Sequence, residues 1–137
     1  LNELAFLATV SATRRPRVHP FVPRIVEGSL LAFIMNSSPK IQDLRARRFF
    51  SIHALPGAED EEFFVSGKAV ELAADHPLRP IAAEAMGFAT GVDSSHGLFR
   101  FLFDRALHTQ WLDFGTPNHR PVHTVWRSHA ESNPEGG

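Results

Sequence analysis

The chain contains no cysteine, which excludes disulfides, thiolate metal sites and cysteine nucleophiles. Neither charge is in excess, with 14 Lys and Arg against 15 Asp and Glu and a formal net charge of −1. No global field therefore draws this chain to nucleic acid or to an anionic membrane surface. No apolar run approaches the length of a membrane span and no signal-peptide pattern is visible, so a cytoplasmic location is the default expectation. Also missing are a glycine-rich dinucleotide loop, a Walker phosphate loop and a nucleophile elbow. The eight histidines raise the question of a metal. His119 and His123 share a face only in a helix, and Pro121 between them argues against one, so no metal site is expected.

What remains is enough chain for one domain with a sizeable core: 137 residues, 43% hydrophobic and 21% charged. We expect a barrel-like domain over residues 1–127 and a loose tail over 128–137, which lacks core residues. Leu4 to Ala12 reads as a first strand. Arg17 to Val26 reads as a second, although Pro20 and Pro23 cannot donate to a ladder and so point to an edge or a bulge. Glu27-Gly28-Ser29 reads as a hairpin turn into the apolar run Leu30 to Met35, expected to be buried on both faces. Phe49 to Leu55 and Glu62 to Ala73 continue the sheet, and Gly67 marks a bulge or a close backbone approach.

The acidic run Glu59-Asp60-Glu61-Glu62 has no calcium-loop spacing and reads as a solvated tip. Asp75 is positioned to cap a helix reaching about Met86, with Ile81, Ala82 and Ala85 as its apolar face. Leu98 to Phe103 and Ala106 to Phe114, bent at Asp104-Arg105, read as closing strands, with Val122 to Trp126 after them. About six antiparallel strands and two short helices give a mainly β fold, a small barrel.

The chain is organised around Asn36-Ser37-Ser38-Pro39-Lys40. Ser38 suits an N-cap and Pro39 the first helical position, opening a short helix to Arg48 striped by Ile41 and Leu44. A strand feeding a helix N-terminus aims backbone N–H groups, the hydroxyls of Ser37 and Ser38, and Lys40 at one place, which suits phosphate. The plainer alternative is a capped helix with a surface lysine. Arg17 is a second phosphate candidate, because a guanidinium can clamp it with two parallel bonds. The backbone from Val18 through His19 and Pro20 to Phe21 can meet the edge of a flat ring. His19 itself reads either as a proton donor or ring contact, or as a half-buried strand histidine.

The segments "PRVHPFVP", "GSLLAFIMNSSPKIQDLR", "FFSIHAL" and "EFFVSGKAVEL" resemble the pyridoxamine 5′-phosphate oxidase-like, FMN-binding split-barrel family. The resemblance spans about Leu4 to Trp126 and implies a split barrel that dimerises, with flavin mononucleotide (FMN) in a groove between subunits. It places Ser38 and Lys40 on the family's phosphate motif, with Pro39 standing where many members carry Arg. The strand end at Met35 and Asn36 then lies beside the cofactor, and Trp111 and Arg120 correspond loosely to a C-terminal cluster that reaches flavin and substrate. The implied activity is an FMN-dependent oxidoreductase acting on a small organic substrate. A branch using a deazaflavin coenzyme, served by Arg14, Arg15, Arg17 and Lys40, is the alternative; a non-catalytic flavin-binding sensor or store is another.

Overall fold

The computed structural model describes residues 4–54, 61–88 and 94–128. Among them run β1 (Ala5–Val10), β2 (Pro16–Phe21), β3 (Arg24–Val26), β4 (Ser29–Met35), α1 (Pro39–Arg47), β5 (Phe49–Ala54), β6 (Glu61–Glu71), α2 (Leu78–Ala85), β7 (His96–Leu112) and β8 (Arg120–Arg127). Every strand pairing is antiparallel, in the order β2-β1-β5-β6-β7-β4-β3, with β8 also on β7. The sheet curls into an open half-barrel. Its spine is β7, which pairs with β4 over its first part, with β8 over its second, and with β6 along most of its length.

The expected fold class holds, with eight strands among the described residues against about six expected, and the chain is divided into strands differently at two places. Arg17 to Val26 is two strands, since β2 stops at Phe21 and β3 restarts after Pro23, which has no N–H for a ladder. The turn at Glu27 and Gly28 carries positive φ at both residues, 50° and 77°, as a tight hairpin of primed type requires. The bend anticipated at Asp104-Arg105 is not a strand break. Ser66 lies opposite Arg105 and Gly67 opposite Phe103, so Asp104 is the extra residue of a bulge in one continuous strand. Gly67 is required there, because a Cβ would stand 2.7 Å from Phe103 Cα and closer still to the Leu102 carbonyl oxygen.

Strand alternation sets the core. Ala5, Leu7 and Thr9 of β1 turn inward while Phe6 faces out, and Phe50 and Ile52 of β5 follow the same rule. Phe101 is the hub, edge-on to Phe50 at 5.0 Å and to Phe21 at 5.8 Å. In β4, Leu31, Ala32 and Ile34 are buried but Met35 is 53% exposed, so the expectation of burial on both faces fails at the strand end. Leu31 and Leu98 meet Ala82 of α2 in a second, smaller cluster.

The helices depart from expectation in three ways. Ser38 occupies the N-cap of α1 and Pro39 its first turn, yet the Ser38 hydroxyl makes no capping bond. Asp43 lies outside the expected stripe of Ile41 and Leu44, yet is buried with them. Finally, α2 begins at Leu78, whose N–H donates to His76 Nδ1 at 3.0 Å, so Asp75 is not its cap. Its buried residues are Ala82 and Ala83, whereas Ile81 and Ala85 are exposed. Glu61 and Glu62 begin β6; the rest of the acidic run, and the tail beyond Ser128, lie outside the described residues.

Candidate functional site

The turn from β4 into α1 forms one wall of a cavity of about 520 Å³. Ser38 and Lys40 stand at the helix end, with Pro20, Phe21, Val22 and Arg24 from β2 and its continuation opposite, and Ile34 and Met35 from β4. Phe33, Met86, Phe88 and His96 complete the lining. Among the described residues, no carboxylate lines it. Lys40 is half-buried, and this burial pushes its ammonium below the ordinary lysine range. The Ser38 hydroxyl has no cap bond to hold it, and the first backbone N–H groups of a helix lack intrahelical partners. This wall therefore combines a positive charge, a hydroxyl and a helix N-terminus, which together suit a phosphate monoester.

Behind Lys40 lies a charged network fixed by the β1/β2 register, which sets Leu7 opposite His19 and Thr9 opposite Arg17. Asp43, 3% exposed, accepts the Thr9 hydroxyl at 2.8 Å and lies 2.9 Å from Arg17 Nε and 3.3 Å from Arg47 Nη2. Arg47 also donates to the Val10 carbonyl at 2.6 Å, which ties α1 to β1. Arg17 Nε has no aligned hydrogen bond despite its contact with Asp43, so its guanidinium is held by charge and not by bond direction. His19 Nε2 is buried without a partner. Burial, then Lys40, then Arg17 lower the His19 pKa, and Asp43 alone acts in the other direction. The neighbourhood has more positive charge than its one carboxylate balances, which again favours a doubly charged anion.

The other residues singled out in the sequence fall in different places. Val18 faces outward, is 65% exposed and does not line the cavity, nor do Arg17 and His19. Ser37 is exposed in the turn. Asn36 is committed to structure: Nδ2 donates to the Ser94 carbonyl at 2.6 Å, Oδ1 accepts from Arg45 at 3.3 Å, and its N–H donates to the Ser95 carbonyl. Arg45 in turn forks onto Glu71 with two bonds of 2.8 Å, which hold its pKa above the ordinary value. This chain fixes the start of β7, and with it His96.

Trp111 and Arg120 do not line the cavity. Trp111 lies near the far end of β7, roughly 50 Å of strand length from His96 at ordinary strand rise. It stacks at a tilt on His119 at 5.2 Å, while Arg120 pairs with Asp113 at 2.6 Å. Among the described residues no three metal-ligating side chains are grouped to hold an ion, and no helix is long and apolar enough to cross a membrane.

Sequence reasoning missed Phe33, Met86, Phe88, His96, Arg24 and Asp43. Phe33 was legible, since it stands two residues before Met35 on the same strand face. Asp43 and Arg47 have ion-pair spacing along a helix, but nothing local signals their burial. Met86 and Phe88 reach the cavity through the packing of α2 on β4 and β7, a non-local event.

The sequence matches no protein-family model and no curated protein. Solved structures do share its fold. A pyridoxamine 5′-phosphate oxidase-related, FMN-binding protein from Nostoc punctiforme is 14% identical, with a TM-score of 0.66 over 92% of this chain and 86% of that one. PhzG from Burkholderia lata, in complex with tetrahydrophenazine-1-carboxylic acid, is 14% identical, with a TM-score of 0.64 over 93% and 83%. HutZ, the heme storage protein from Vibrio cholerae, is 16% identical, with a TM-score of 0.62 over 92% and 86%. This chain has the split-barrel fold of pyridoxamine 5′-phosphate oxidase-related proteins, and the resemblance read in its sequence holds at the level of fold.

Proposed function

We propose that this protein binds FMN and acts as an oxidoreductase on a small organic substrate. The observation that supports this most is the shared cavity wall of Ser38, with its uncapped hydroxyl, and half-buried Lys40 at the N-terminus of α1. A phosphate fits there, and the apolar wall of Pro20, Phe21 and Val22 along the same cavity fits a flat ring. Bound FMN supplies the hydride chemistry; the chain supplies the anchor, the orientation and the dry walls. A likeness in fold to a protein named as FMN-binding agrees with this reading. We further propose that the protein works as a homodimer, so that Trp111 and Arg120 of a second copy complete the groove.

The test is a visible absorption spectrum followed by FMN titration of the wild type and of Lys40→Ala. Losing a charge-assisted contact costs roughly 1.5–3 kcal/mol, or about ten- to hundredfold in affinity, and riboflavin, which lacks the phosphate, should bind both proteins alike. Equal FMN affinity for the two would sink the assignment. A colourless protein that binds a deazaflavin coenzyme instead would move it to that branch.

One observation favours a second reading, a haem-holding protein without turnover. An imidazole, His96, and two thioethers, Met35 and Met86, line the same cavity, and these side-chain types ligate haem iron. A Soret band that grows with added haemin, and disappears in His96→Ala, would favour it.

A further inference from the structure

The register of β4 on β7 places Met35 directly opposite His96 and Phe33 opposite Leu98, all on the sheet face that α2 covers. The end of α2 brings Met86 and Phe88 to the same place. Phe88 meets Phe33 edge-on at 5.4 Å and lies 6.3 Å from the His96 ring. Phe33 is backed in turn by the Arg79 guanidinium, 5.5 Å from its ring centre, which steadies its orientation. Met35 and Met86 are the chain's two methionines, and both line this one cavity. Rings meeting edge-on and polarisable thioethers favour flat aromatic partners, and thioethers adapt to rings of differing outline. His96 Nδ1 is 2.8 Å from the Ser95 hydroxyl, which leaves Nε2 to meet a ligand.

We propose that this end of the cavity, where α2 meets the β4/β7 pair, is a substrate subsite for a flat aromatic molecule. The ring packs among Phe33, Phe88, Met35 and Met86, and its polar substituent hydrogen-bonds to His96 Nε2. The proposal rests on the flavin reading for the word substrate, though not for the ring slot itself.

The experiment uses the full chain with methyl-13C-methionine, which gives two methyl signals that both report on this cavity. FMN is titrated first and followed by its absorption, then 2-naphthoate, with decahydro-2-naphthoate as the saturated analogue of the same charge. The expected result is saturable shifts of both methyl signals by 2-naphthoate while FMN stays bound. The saturated analogue should bind at least several-fold more weakly. Phe88→Leu should weaken 2-naphthoate about tenfold, as loss of an aromatic pair implies, with FMN affinity unchanged. FMN binding without methyl shifts from 2-naphthoate, equal affinity for the saturated analogue, or 2-naphthoate acting only by displacing FMN would each overturn the subsite and leave the flavin reading intact. Methyl shifts in a protein that does not bind FMN would support the aromatic slot and sink the flavin reading. No response to either ligand would overturn both.

Discussion

Asp43 Oδ2 lies 2.9 Å from Arg17 Nε, so a buried carboxylate on α1 holds a half-exposed guanidinium on β2. The same carboxylate takes the Thr9 hydroxyl and pairs with Arg47 one helical turn on, joining β1, β2 and α1 through one side chain. Replacing Asp43 by Asn removes the charge with little change of shape and leaves two cations without their buried counter-ion. Charge-assisted bonds of this kind are worth roughly 1.5–3 kcal/mol each, discounted here because both arginines reach solvent. Asp43→Asn should therefore lose about 2 kcal/mol in urea unfolding. A loss below about 0.5 kcal/mol, the range of an ordinary surface substitution, would show that the network does not hold the elements together.

His19 supplies a pH signature. Burial, Lys40 and Arg17 hold its folded pKa below the ordinary 6.5, against the opposing pull of Asp43. Above pH 6.5 the imidazole is neutral in both folded and unfolded chains and contributes nothing. As pH falls through 6.5, the unfolded chain takes up the proton and the folded one resists, so stability declines until the folded pKa is passed. His19→Gln should flatten that part of the stability profile, read by urea unfolding between pH 7 and about pH 5. An NMR titration of the wild type should find the His19 pKa below 6.5 in the free protein and raised by a bound phosphate dianion. A value at or above 6.5 without ligand would contradict the arrangement of charges described.

Much of this was legible in the sequence, and the rest was hidden for a physical reason. Strand alternation, the turn at Glu27-Gly28, the break into α1 at Pro39 and the special position of Gly67 are local signals. They place Ser38 and Lys40 where β4 turns into the start of α1. Long-range choices were not legible. Whether Asp104-Arg105 ends a strand or forms a bulge depends on what β6 offers opposite it. Whether Asp43 faces water depends on Thr9 and Arg17, both far away in the chain. The aromatic end of the cavity depends on where α2 lands, and its start is set by His76 rather than by the expected Asp75.

Gly67 offers a test of the bulge. An added Cβ meets backbone atoms of Leu102 and Phe103, not a side chain that can swing away. Overpacking of this kind costs about 1–3 kcal/mol. Gly67→Ala should lose that much stability, and removing the side chains of Leu102 or Phe103 should not restore it, because the collision is with main chain. Recovery in a Gly67→Ala, Leu102→Ala double variant would mean that the crowding is not where the geometry puts it.

The distal end of β7 tests the proposed dimer. Trp111, Phe114 and His119 form an aromatic group there, and Phe114 is 71% exposed while Val122, Val125 and Trp126 of β8 are also open to solvent. So many large apolar side chains on one stretch exceed what scattered surface residues explain. A second copy that covers them would also carry Trp111 and Arg120 toward a cavity they cannot reach within one chain. Light scattering should then give twice the 15.2 kDa chain mass. The discriminating measurement mixes two inactive variants, Lys40→Ala and a double variant Trp111→Ala, Arg120→Ala, each expected to bind FMN weakly alone. In a mixed dimer one groove collects both lesions and the other neither, so tight binding should return at about half the grooves of each heterodimer. A mixture that binds no better than the average of its parts would show that Trp111 and Arg120 do not act across subunits.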